Sequence, residues 1–196
     1  MTNRLVTANL ALSLDGHYHG AGGPQDFAPF IPFVTTDVAR DQMSRIWESA
    51  TTALLGRNSA EGFLGYWSTV ANDENADPRD RGYAQWLVGV EKVVLSTTLT
   101  EAPWDNTRIL NTPAAAAVAD LKSTGSGDIL VNSAPTVIKS LLTEDLIDRL
   151  YLTVIPVITG GGTRLFETGI PATTWALTHQ QAGPTGEQAL TYDRIR

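Results

Sequence analysis

Three short segments combine small and hydroxyl-bearing residues with a place at the end of a β-rich run: Gly56-Arg57-Asn58-Ser59, Ser96-Thr97-Thr98 and Ser133-Ala134-Pro135-Thr136. The first and third lead into helical patterns. A helix N-terminus presents unpaired backbone N–H groups and a positive partial charge, so such a junction suits a phosphate. A single junction also arises wherever a helix follows a strand and needs a cap. Two in one sheet, the first with an arginine, point to a dinucleotide. The hydroxyls of Ser96-Thr97-Thr98 follow a third strand, and their other reading is a polar turn.

Other chemistries find little support. No G-x-G-x-x-G follows a strand, since the run Gly160-Gly161-Gly162 has Leu165 where the last glycine would fall. A P-loop and a G-x-S-x-G nucleophile elbow are missing as well. Cysteine is absent, which removes disulfides, thiolate nucleophiles and cysteine-based zinc sites. His17 and His19 lie two apart without an obvious third ligand, so no metal is expected. His179 falls in an expected edge strand and reads as structural.

The elements that would hold these segments alternate between β-rich and helical runs. Leu5–Leu14 reads as a strand closed by the Asp15-Gly16 turn, and Gly20–Pro32 as a long loop in which Phe27, Phe30 and Phe33 argue for contact with the body. The apolar spacing of Val38, Met43, Ile46, Trp47 and Ala50 predicts a helix from Asp37 to Glu48. Strand Thr51–Leu55 runs into Gly56, with Asn58 and Glu61 spaced as a capping box for a short helix. Asn72–Arg81 reads as a surface loop. Val93–Ser96, Thr107–Leu110, Ile129–Asn132 and Leu150–Ile155 read as strands, with helices after Thr112-Pro113 and from Ser133-Ala134-Pro135-Thr136 to Leu142. Thr174–Ala182 and Ala189–Ile195, joined by Gly183-Pro184-Thr185-Gly186, form a hairpin. Together these predict an α/β fold in one domain, 1–196. Its sheet is mainly parallel with helices on both faces and carries an antiparallel C-terminal edge hairpin.

The balance of 14 Lys and Arg against 21 Asp and Glu gives a net charge of −7 and disfavours a surface that tracks nucleic-acid phosphates. No stretch approaches a membrane span, and the first residues lack the apolar core of a signal peptide. A cytoplasmic protein is expected.

The order Ser13-Leu14-Asp15-Gly16, Leu54-Leu55-Gly56-Arg57-Asn58-Ser59 and Lys92-Val93-Val94-Leu95-Ser96-Thr97-Thr98-Leu99 resembles the dihydrofolate reductase-like superfamily. More narrowly, it is similar to the reductase domain of riboflavin-pathway deaminase-reductases and its stand-alone relatives. The likeness runs on through Trp104, the segment 128–142, Asp145-Leu146-Ile147-Asp148, Pro156-Val157-Ile158, the Gly160–Gly162 run and Leu165-Phe166.

The resemblance implies a three-layer fold, NADPH (with NADH possible) as hydride donor, a homodimer, and a small heterocyclic substrate of pterin, flavin-precursor or ribosylaminopyrimidine type. It implies that Gly56, Arg57, Asn58 and Ser59 hold cofactor phosphates and that Ser96 and Thr97 lie beside the adenosine 2′-phosphate. Ser133, Ala134, Pro135 and Thr136 would lie under the pyrophosphate, with Asn132 at the nicotinamide end of that strand. Ala11 and Leu14 would line the nicotinamide pocket, and Thr153 would face substrate. Relatives often carry arginine where this chain has Thr97, and glycines where it has Ser133, Ala134 and Pro135. Proton-donor candidates are Asp15, at the cleft, and Asp37 and Asp41 on the first helix. A different class of function, a non-catalytic nucleotide-binding or sensing module on the same fold, stands beside the reductase.

Overall fold

A computed structural model describes residues 4–196. Eight strands form one sheet in the order β4-β3-β2-β5-β1-β6-β8-β7. β1 (Val6–Ser13) lies between β5 (Asp128–Asn132) and β6 (Arg149–Ile155), parallel to both. β2 (Ala50–Gly56) pairs in parallel with β5 and with β3 (Glu91–Leu95), which pairs in parallel with the short β4 (Thr107–Leu110). The antiparallel hairpin β7 (Thr174–Ala182) and β8 (Gln188–Ile195) closes the other side, β8 against β6. The α/β architecture expected from the chain is the one observed.

A parallel sheet must be covered on both faces, which is why its inner strands read as apolar runs. Val6, Ala8, Leu10 and Leu12 of β1 join Ile129, Val131, Leu150 and Leu152 in a core under α6 (Ala114–Thr124) and α7 (Pro135–Thr143). On the opposite face Ala53, Leu55, Val94, Leu130 and Tyr151 pack with α2 (Asp37–Ile46), α4 (Gly65–Val70) and α5 (Pro78–Gly89). A one-turn helix α1 (Ile31–Val34) ends the long first loop, where Phe30 is fully buried and stacks on the exposed Phe27.

Two local readings are revised. The expected loop Asn72–Arg81 is cut short because Asp77 caps α5 through Arg79 N, with Pro78 in its first turn. The helix after β2 starts at Gly56 rather than at an Asn58 cap. It runs as α3 (Arg57–Ser59), a π-wound turn (Ala60–Leu64) and α4 without a break, and its start has no side-chain cap.

The glycine run also finds its reason. Gly162 has φ of 109°, and a Cβ there would lie 2.3 Å from the carbonyl of His19. The run therefore lets the chain pass close against the first loop. His17 and His19 are buried at this seam. His17 Nδ1 lies 3.0 Å from Asp15, and His19 bridges the Gly20 carbonyl and Thr163 Oγ1.

Candidate functional site

Ligands of open parallel sheets bind beyond the carboxyl ends of the strands. Here the ends of β2, β3, β4 and β5 surround a groove of about 740 Å³, inside the range of about 300–1,000 Å³ usual for ligand sites. One wall is Gly56, Arg57, Asn58 and Ser59, the second Ser96, Thr97 and Thr98, and the third Ala134, Thr136, Val137 and Ser140. Asn111, Thr112, Pro113 and Ala114 complete it. The sequence reading passed over this last wall, although Thr112-Pro113 marked a helix start of the kind sought elsewhere.

The groove suits an anion. The N-terminal ends of α6 and α7 both open on it, and their first backbone N–H groups have no partner within the helix. Arg57 is the cation among the lining residues. Its guanidinium is exposed, donates to Thr98 Oγ1 at 2.9 Å, and lies 3.7 Å from Glu61 one turn on. Ser96 Oγ accepts from the backbone N–H of Thr98 and Leu99, so this hydroxyl shapes the turn that offers Thr97 and Thr98. Ser59 Oγ donates to the Ser133 carbonyl at 2.9 Å and ties the first wall to the third.

Ser133 carries the turn itself, with φ of 50°. This left-handed conformation is easy for glycine and costs other residues about 1–2 kcal/mol. The serine thus holds a backbone path that glycine adopts without strain. Ser133 and Pro135 do not line the groove, and Asn132 lies behind it, 2% exposed. Its Nδ2 donates to Tyr83 Oη at 2.7 Å, and its Oδ1 accepts from Asn9 Nδ2 at 2.8 Å. The Asn132 amide is thus spent inside the protein and has nothing left for a nicotinamide.

The remaining positions gather at the end of β1. Ala11 is the register partner of Thr153 on β6, so the two share the face under α2. Ala11 is half-buried, Leu14 is exposed beyond the end of the strand, and Thr153 Oγ1 accepts from Gln42 Nε2 at 3.1 Å. Gln42, on α2, did not figure among the sequence candidates.

The acids differ from expectation. Asp15 accepts from Ser13 Oγ at 2.6 Å and from the backbone N–H groups of Thr159 and Gly160. The Ser13 bond, helped by the two N–H groups, holds its carboxyl far below the usual carboxylate range. It is a fastener between the β1 turn and the segment after β6, its oxygens engaged by Ser13 Oγ and the two N–H groups. Asp37 and Asp41 lie on the outer side of α2, both paired with Arg79 on α5.

Such a sheet, with its groove at the carboxyl ends, defines an open α/β protein of the mainly parallel kind. The comparisons narrow this: residues 4–188 match the model of the RibD C-terminal domain, and the chain belongs to that family. A protein of Shewanella sp. PV-4, provisionally assigned to riboflavin biosynthesis, superposes with a TM-score of 0.70 at 23% identity, over 98% of this chain and 99% of the other. A diaminohydroxyphosphoribosylaminopyrimidine deaminase/5-amino-6-(5-phosphoribosylamino)uracil reductase of Thermotoga maritima gives 0.68 at 13% identity, over 98% of this chain and 57% of the other. Dihydrofolate reductase of Enterococcus faecalis, solved with NADP(H), gives 0.61 at 17% identity, over 100% and 99%. No curated protein matches the chain. The fold is that of the dihydrofolate reductase-like superfamily.

Two predictions follow from the geometry. Ser133→Gly relieves the left-handed strain and is expected to stabilise the chain by about 0.5–1 kcal/mol in urea unfolding, the released strain exceeding the added chain entropy. A loss of stability would show that the Ser133 side chain matters more than its backbone. For Asp15, the folded carboxyl titrates below its unfolded value of about 4, so its contribution is full above that pH and fades as pH falls toward the folded value. Asp15→Asn should lower the melting temperature most at neutral pH, with the gap to wild type closing in acid. A gap unchanged between neutrality and about pH 3 would refute this account of the turn.

Proposed function

We propose that the chain is an NADPH-dependent reductase of a small nitrogen heterocycle, of pterin, flavin-precursor or ribosylaminopyrimidine type, working in the cytoplasm as a homodimer. The observation that carries the reading is the groove, in which two helix N-termini and the Arg57 guanidinium converge on a volume suited to a dinucleotide. The residues present fit the cofactor. Arg57 with Thr97 and Thr98 would hold the adenosine phosphate, the α7 N-terminus the pyrophosphate, and Ala11 and Leu14 would border the nicotinamide. NADH shares all but the adenosine phosphate and fits the same groove.

When bound, NADPH supplies the hydride, and the substrate heteroatom takes its proton from water. The protein's part is positional. The Ser59–Ser133 bond keeps two groove walls at a fixed separation, and the buried Asn132 amide fixes the strand end from which α7 departs. The outward turn of Asp37 and Asp41 and the fixed ionisation of Asp15 favour the second reading, a nucleotide-binding module without turnover, to the same degree that they remove a side-chain acid.

Titration of NADPH and NADH, read by tryptophan and nicotinamide fluorescence, tests the site. Arg57→Ala should raise the Kd for NADPH about ten- to a hundredfold, the worth of charge-assisted hydrogen bonds of about 1.5–3 kcal/mol, and should affect NADH less. If neither nucleotide binds, both readings fall. Binding with no substrate-dependent loss of nicotinamide absorbance on any pterin, flavin or pyrimidine would leave the sensing module.

The homodimer is supported by β7, an uncharged edge strand of nine residues whose Leu177 is half exposed. Long uncharged edges are normally blunted or covered. Sedimentation velocity at micromolar concentration should show a dimer, and a monomer would reject it.

A further inference from the structure

A second cavity, of about 160 Å³, lies near the amino ends of β3 and β4. Its walls include the apolar side chains of Leu64, Val88 and Trp104 and the polar ones of Ser68, Lys92 and Asp105. None of these residues lines the groove. The polar groups leave little for water. Lys92, 2% exposed, spends all three ammonium protons on the carbonyls of Leu87, Val88 and Val90 and so closes the last turn of α5. Ser68 gives its proton to the Leu64 carbonyl at 2.6 Å. A water held in a cavity needs about two to four polar partners, whereas a dry cavity of about 150 Å³ admits a benzene ring.

One helical stretch joins this cavity to the groove. Arg57, Asn58 and Ser59 line the groove, and Leu64 and Ser68 line the cavity. Between them runs the π-wound turn Ala60–Leu64, a form that is rare and recurs at functional sites. Leu64, its last residue, is 3% exposed and packs in the core under α4 and α5. Gly62 lies in this turn and Gly65 directly after it. A Cβ at either would meet no atom of the described residues within 4 Å, and neither has a positive φ, so no local packing calls for glycine. Both weaken the helix relative to alanine. The stretch between the two sites is therefore the soft part of this helix.

We propose that the cavity binds a neutral molecule of one aromatic ring and that the π-wound turn couples it to Arg57. The effect on nucleotide affinity rests on the groove reading above; the site itself does not. Ring size follows from the volume. Neutrality follows from Lys92 and Asp105, whose charges are of opposite sign, so neither an anion nor a cation recovers its lost hydration there. An occupant beside Leu64 bears on one end of the turn, and the other end continues into the residues that line the groove.

The probe is phenol, with benzoate and benzylammonium as charged controls of the same ring. Each is titrated into the full chain at neutral pH and followed by proton–nitrogen NMR. The Trp104 indole signal, assigned by its loss in Trp104→Phe, should move saturably with phenol at a Kd of about 1 mM or tighter, and the controls should bind at least about tenfold more weakly. The backbone N–H signals of Arg57, Asn58 and Ser59 should move with the same Kd. Saturating phenol should change the Kd for NADPH by about fivefold, and saturating NADPH should change that for phenol by the same factor, because coupling is reciprocal. Val88→Phe, at an exposed position on the cavity wall, should abolish phenol binding while NADPH binding holds. Gly62→Ala combined with Gly65→Ala should bind phenol, melt higher and lose the response at residues 57–59. No saturable phenol binding, equal binding of all three probes, or phenol binding that survives Val88→Phe overturns the site. Silence at residues 57–59 in the wild-type chain, or a response unchanged in the alanine variant, overturns the coupling. If NADPH does not bind, the groove reading falls instead, and the phenol titration and the signals at residues 57–59 still decide the inference.

Discussion

The side-chain amide of Asn132 is shut off from water, so each of its hydrogen bonds must be made within the protein. It makes them in two directions, to Asn9 on β1 and to Tyr83 on α5, and so joins the central strands to the helix layer at the point where β5 ends. The next residue turns left-handed and gives its carbonyl to Ser59. The groove lies to one side of this node, and the Gln42–Thr153 contact under α2 to the other. Tyr83 illustrates the cost of the arrangement: full burial pushes its phenol well above the usual range, and it stays a neutral hydrogen-bonding partner at any working pH.

A groove suited to an anion must, in an acidic chain, be kept clear of carboxylates. The structure does so by using them elsewhere. Asp37, Asp41 and Asp77 share Arg79, and Asp80 takes Arg40. Asp145 and Asp148 hold Arg194, Arg196 and Lys122 at the far end of the sheet, while Asp15 is absorbed by its turn. Among the groove residues only Arg57 is charged, with Glu61 one turn along its helix. The net charge of −7 therefore says little about the field in the groove, which is set by helix ends and one guanidinium.

Much of this was legible in the sequence. Strands buried on both faces announce themselves as apolar runs, and the hydroxyl-rich segments after them fall on three walls of one groove. What escaped reading did so for physical reasons. α5 is polar along much of its length and buries only Tyr83, Ala84 and Leu87, so its start looked like a charged loop. The wall 111–114 depends on β4 and α6 being brought beside β3, a tertiary fact that the helix-start mark at Thr112-Pro113 does not convey. Asn132 was visible as a strand-end residue, but no spacing rule shows whether an amide faces a ligand or an inner partner. The glycine-like turn at Ser133 carried a misleading side chain, since the backbone angle is what the junction requires.

Gln42 was hidden in a different way. The proton-donor candidates in the sequence are Asp15 and, on the first helix, Asp37 and Asp41, and helix phase decides against the last two. Val38, Ala39, Gln42 and Ile46 form the buried face of α2, and residues four apart keep to one side, so Asp37 and Asp41 both look outward. The presence of acids in that helix is thus no guide to the chemistry beneath it. The residue that faces Thr153 is an amide, fixed by the 3.6-residue turn and by the Thr36 cap that sets where the helix begins. A carboxylate moved one place along α2 would stand where Gln42 stands, buried against Thr153, so a single step of helix phase separates an exposed, Arg79-paired acid from a buried amide.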